Sequence, residues 1–135
     1  MAFYKLVLSA ISMFFFSGCY QTPKVIQHQK KPEDAVKAFY EAISSRNLEK
    51  AKALSTDSTK RQLHLFGTSL IMSGDVEKDS LLKAYQLNFE NIICSGSPLR
   101  MICKICCDAS GREKDTELMQ MDGLWFVNSD FGFSK

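Results

Sequence analysis

From Pro32 onward the apolar positions recur with a helical period. Val36, Phe39, Tyr40 and Ile43 fall at i, i+3, i+4 and i+7, the spacing of one buried stripe on an amphipathic helix. Pro32 suits the first helical position, and Glu33 and Asp34 stand where the helix dipole favours negative charge. The pattern predicts a helix over 32–45. Asn47 can cap a second, short helix in which Leu48, Ala51 and Leu54 share a face while Glu49, Lys50 and Lys52 stay in water. Thr56-Asp57-Ser58 offers caps for a third, with Leu63, Phe66, Leu70 and Ile71 as its stripe and Gly74 as its stop. Gly67 in its interior weakens it by about 1 kcal/mol relative to alanine. A last turn or two over 79–86 would use Leu81, Leu82 and Tyr85.

Past Asn88 the period changes to two. Strands are predicted over 89–94, 99–108, 113–121 and 124–128, with turns at Ser95-Gly96-Ser97-Pro98 and Ser110-Gly111. Asp122-Gly123 reads as a two-residue hairpin turn that needs positive φ. In the second strand Leu99, Met101, Cys103, Ile105 and Cys107 share the face expected to meet the core. Ile102 and Cys106 lie on the opposite face with Arg100, Lys104 and Asp108. Helices first and an antiparallel meander afterwards indicate an α+β fold, with helices packed on one face of a curved sheet.

The amino-terminal stretch follows a different logic. Lys5 is followed by an apolar run over 6–16, then small residues and a cysteine. Eleven helical residues rise about 17 Å against a hydrocarbon layer about 30 Å thick, so the run reads as a secretory signal and not a transmembrane helix. Phe16-Ser17-Gly18-Cys19 resembles the lipid-attachment box of bacterial lipoproteins, with Phe16 where leucine is usual. A plain secretory signal and an uncleaved anchor are the alternatives. The expected division is a signal over 1–18, a flexible tether over 19–31 and one domain over 32–135. The tether, which includes His28, would hold the domain about 20 Å from lipid headgroups by a flexible-chain estimate. It lacks the acidic run that resembles a surface-export signal, so the expected place is the outer membrane, facing the periplasm, through a lipid on Cys19.

The formal charge of +2 includes Lys5, and loss of the signal leaves a chain close to neutral. That removes the electrostatic case for nucleic acid. The spacing Cys103-x-x-Cys106 suggests zinc or redox chemistry, but in a strand the two α-carbons lie about 10 Å apart on opposite faces, beyond disulfide reach. With a four-residue turn Cys94 falls opposite Leu99. The expectation is buried thiols at Cys103 and Cys107, with a bridge from Cys94 left open by an oxidising compartment. No metal or cofactor is expected.

The run 32–43, Pro-Glu-Asp-Ala-Val-Lys-Ala-Phe-Tyr-Glu-Ala-Ile, followed by 47–54, resembles the opening of small lipoprotein domains in the nuclear transport factor two-like superfamily. Asp122-Gly123-Leu124-Trp125-Phe126-Val127 resembles the hairpin that closes them, with Phe126 where lysine is more usual. The resemblance implies a cone: a bent sheet around a long first helix, sometimes with a pocket at the open end. Such cones host isomerases, dehydratases and binding modules alike, so the fold does not fix function. Isomerase or dehydratase chemistry needs a carboxylate base with a tyrosine or acid donor, or a histidine–aspartate pair. Tyr40, Tyr85, His64 and Asp108 are the residues available. Tyr40 is expected in the core with its hydroxyl at the rim, His64 partly exposed, and Asp108 in water or capping a turn. The expected role is therefore binding and not turnover. One reading is a pocket lined by Phe39, Tyr40, Tyr85 and Trp125 for a small apolar ligand or peptide, although those aromatics also suit plain core. The other is a subunit that dimerises or docks on an envelope protein through its sheet, where Ile102 and Cys106 interrupt a polar face.

Overall fold

A computed structural model describes residues 23–108 and 110–130. The signal segment and Cys19, where the lipidation expectation falls, lie outside the described residues. No described helix is long and apolar enough to cross a membrane.

The chain is α+β. Its described elements are α1 (Pro23–His28), α2 (Pro32–Ser44), α3 (Leu48–Ala53), α4 (Asp57–Met72) and α5 (Asp75–Lys83), then β1 (Ile92–Ser97), β2 (Arg100–Ile105), β3 (Lys114–Met121) and β4 (Leu124–Val127). The strands form one antiparallel sheet in sequence order.

Helix α2 is the spine of the core. Ala35, Val36, Ala38, Phe39, Tyr40, Ala42 and Ile43 are all buried along it, and it contacts all four strands. The inward positions of the sheet alternate as a pleat requires: Cys103 and Ile105 on β2, Thr116 and Leu118 on β3, Trp125 and Val127 on β4 are buried. The segment after α3 closes the β4 edge. Val127 donates its amide to the Leu54 carbonyl and accepts from the Thr56 amide at 2.9 Å each.

Helix α2 ends in a Schellman motif. The Arg46 amide bonds the Ile43 carbonyl at 2.9 Å and the Asn47 amide bonds the Ala42 carbonyl at 2.8 Å, which satisfies two orphan carbonyls. The position after the cap is left-handed and usually glycine, yet here it is Arg46 with φ 61°. A non-glycine residue held there costs on the order of 1–2 kcal/mol. Asn47 then caps α3, its side-chain oxygen accepting from the Lys50 amide at 3.1 Å.

Several expectations are corrected. Pro23–His28 is helical and Gln29 is 1% exposed, so the stretch read as a flexible tether is docked on the domain at its carboxyl-terminal end. Helix α4 stops at Met72, and Gly74 sits at the N-cap of α5. That helix begins at Asp75, four residues before the expected start, because Asp75 and Glu77 in its first turn complement the helix dipole. Ile71 is 82% exposed, off the buried stripe.

The first strand lies over Ile92–Ser97 and not 89–94. Ser95, Gly96 and Ser97 have turn-forming composition, but they pair with Ile102, Met101 and Arg100, so the connection shrinks to Pro98-Leu99. Leu99 is thereby placed in the turn, 69% exposed, and Cys94 moves opposite Cys103. These two cysteines form a cross-strand disulfide. Cys106 and Cys107, beyond the end of β2, form a second bridge. The free thiols expected at Cys103 and Cys107 are therefore both paired. The Asp122-Gly123 turn holds as read, with φ of 53° and 76° between the paired Met121 and Leu124.

Candidate functional site

The aromatics singled out from the sequence form core, not a lined cavity. Phe39 and Tyr40 meet edge-on at 5.1 Å between ring centres. Tyr40 stacks on Tyr85 at 6.3 Å, and Tyr85 meets Phe66 edge-on at 5.3 Å. Trp125 is buried on β4, where its amide bonds the Gln29 carbonyl at 2.8 Å and its carbonyl accepts from the Gln29 side-chain amide at 3.3 Å.

The Tyr40 hydroxyl is not at a rim. It shares a 2.6 Å hydrogen bond with Thr116 Oγ1 inside the core. Burial pushes its pKa up to about 12, against the opposing hydrogen bonds of Thr116 and Ser129. Burial likewise raises Tyr85. The Lys114 ammonium sits 4.4 Å from the centre of the Tyr85 ring and 5.4 Å from that of Tyr40, a cation–π arrangement. Burial lowers its pKa, partly offset by Asp108. Asp108 caps a turn, accepting from the Ser110 amide at 2.8 Å and the Arg112 amide at 3.0 Å. The Ser110 hydroxyl and the Arg112 amide hold its carboxyl below the usual range. His64 is exposed on α4 and His28 on α1.

A cavity of about 400 Å³ lies elsewhere, among α3, α4 and α5. Leu48, Leu63, Leu70 and Ile71 are among its lining residues, with Leu63 fully buried behind it, and Arg46, Glu49, Lys52, His64 and Lys78 also line it. Local sequence explains the shape. A Cβ placed on Gly67 would come within 2.8 Å of Leu48 Cδ1, so the missing side chain lets Leu48 of α3 settle on α4. None of Phe39, Tyr40, Tyr85 and Trp125 lines this groove.

The charged rim is made of exposed ion pairs. Arg46 meets Asp79 at 3.3 Å, Lys52 meets Glu49 at 3.0 Å and Lys78 meets Asp75 at 3.9 Å. Pairs in water contribute roughly 0–1 kcal/mol. No group of three or more histidine, cysteine, aspartate or glutamate side chains suited to a metal occurs among the described residues.

From sequence alone Leu63 and Leu70 read as ordinary core stripe, Lys52 as part of a wet face and Gly67 as a weak point in a helix. The pairing of an interior glycine with a leucine at the start of the preceding helix was the available signal. Nothing in the sequence marks Arg46 as left-handed. No match to this chain was found among protein families, characterised proteins or solved structures.

Proposed function

We propose that this chain is a lipid-anchored extracytoplasmic binding module of the nuclear transport factor two-like kind, held through Cys19 at the outer membrane and facing the periplasm. Its ligand is a small apolar molecule, and its site is the groove among α3, α4 and α5 and not the aromatic cluster beneath the sheet. The observation that carries this reading is the cavity of about 400 Å³ with Leu48, Leu63, Leu70 and Ile71 on its wall, within the size and character of ligand sites. Binding is favoured over turnover because Tyr40 is sealed against Thr116 and Asp108 is occupied by its turn.

Titration with N-phenyl-1-naphthylamine, a neutral apolar fluorophore, tests the site. A single saturable enhancement is expected, lost in Thr68→Trp and Ile71→Glu, both at exposed groove positions where the fold tolerates change. Enhancement that persists in both variants places the ligand elsewhere and rejects the groove.

A second reading has its own observation. Ile93, Ile102, Met119 and Met121 are exposed at 68%, 44%, 37% and 42%, and the strand register puts them on the outer face of the sheet. Such a face suits a dimer or an envelope partner. Sedimentation of the protein with and without Ile102→Lys distinguishes it, since a dimer through this face dissociates.

A further inference from the structure

We propose that the ligand of this groove is a single-chain amphiphile with an anionic head, its tail lying on Leu48, Leu70 and Ile71 and its head held by Arg46, Lys52 and Lys78. This rests on the reading of the groove as the ligand site. Three cations and one carboxylate, Glu49, line the cavity, while Asp79 and Asp75, the partners of Arg46 and Lys78, are not among its lining residues.

The ion pairs leave that positive charge available. The Lys52 and Lys78 side chains are 30% and 26% exposed, while their partners Glu49 and Asp75 are 86% and 101% exposed. The lysine stems lie against protein and the acids stand in water, the arrangement of long cationic side chains that cover apolar surface and present their heads. Arg46 and Asp79 are both largely exposed, at 57% and 68%. An entering carboxylate or phosphate displaces weakly held acids and exchanges one solvated pair for another. His64 and Thr68 flank the same opening.

Arg46 supplies an independent observation. It occupies the left-handed position of a Schellman motif at φ 61°, where glycine fits without strain. Strained backbone of this kind clusters at ligand sites, and here it carries a side chain that lines the cavity.

The test uses the full-length chain in lipid nanodiscs, with empty nanodiscs as reference, and displacement of the neutral fluorophore by decanoate, decanol and decyltrimethylammonium. Decanoate is expected to bind about tenfold tighter than decanol, the worth of roughly 1.4 kcal/mol shared among the rim charges. That advantage shrinks at high salt, and affinity rises about fourfold for each methylene added to the tail. Lys78→Glu lowers decanoate affinity more than decanol affinity and so removes the preference. Arg46→Gly does the same while leaving Tm unchanged or higher, a result that a purely structural arginine would not give. Equal affinities for decanoate and decanol, or tightest binding of the cation, overturn the anionic class and leave the apolar groove standing. Failure of all three to displace the fluorophore, or to bind, overturns both readings.

Discussion

The hydroxyl of Tyr40 on α2 and that of Thr116 on β3 share a 2.6 Å hydrogen bond across 76 positions of sequence. It is a polar pin between the central helix and the sheet, with Ser129 as a further hydrogen-bond partner of the Tyr40 hydroxyl. A buried hydroxyl needs such a partner, because leaving one unpaired costs about 1–3 kcal/mol.

The pin has a pH signature. Tyr40 is pushed up to about 12 from 10.0 by burial, so above pH 10 the unfolded chain releases a proton that the folded chain retains. Stability is then full below pH 10 and falls as pH rises through 12, by on the order of 3 kcal/mol for a two-unit shift. Urea unfolding between pH 9 and pH 12 should show that loss. Tyr40→Phe should flatten the part of the slope due to this residue, with Thr116→Val as the companion change that avoids an orphaned hydroxyl.

The Cys94–Cys103 bridge closes a short loop whose ends are nine positions apart in sequence. The loop-entropy relation assigns such a crosslink about 2–3 kcal/mol. Replacing both cysteines by alanine should lower stability by up to that amount without changing the fold, read from denaturant midpoints. Peptide mapping of the unreduced protein should recover residues 94 and 103 in one linked pair, and a free thiol at either position refutes it.

Gly67 sets two effects against each other. Alanine in a helix interior gains about 1 kcal/mol over glycine, but its methyl would meet the end of Leu48 at 2.8 Å. Because a flexible side-chain end yields easily, Gly67→Ala should leave stability within about 1 kcal/mol of the parent. It should nonetheless weaken fluorophore binding by moving Leu48 into the groove. Parallel thermal melts and titrations separate the two effects.

Gln29 gives the last prediction. Its side-chain amide donates to the Trp125 carbonyl at 3.3 Å while its own carbonyl accepts from the Trp125 amide at 2.8 Å. Gln29→Ala removes the first bond and keeps the second, so a loss of about 1–2 kcal/mol is expected. Faster hydrogen exchange at the Trp125 amide should accompany it.

Much of the helical half was legible because its signals are local. Pro32 with Glu33 and Asp34 marked the start of α2, and Asn47 marked α3 through a cap that the structure contains. Asp122-Gly123 demanded its turn by backbone conformation alone. The first hairpin was misread because Ser95-Gly96-Ser97 favours a turn locally, while strand pairing with 100–102 overrides that preference. The change of Cys94's partner from Leu99 to Cys103, four positions along, also hid the disulfide, since register decides which cysteines face each other. The groove was illegible for another reason: its wall is assembled from residues of α3 and α4 that each look like ordinary core stripe. Its rim depends on a left-handed arginine that composition does not mark.

The clasp at Gln29 also fixes a direction. Gln29 follows Cys19 by ten positions, and because Pro23–His28 is helical the leash spans at most about 25 Å and leaves the domain beside β4. Under acylation of Cys19 the molecule would swing about that corner like a pennant on a short mast. Strand order puts β1 at the opposite border, so it is β1 that would point away from the bilayer and first encounter whatever diffuses through the surrounding space.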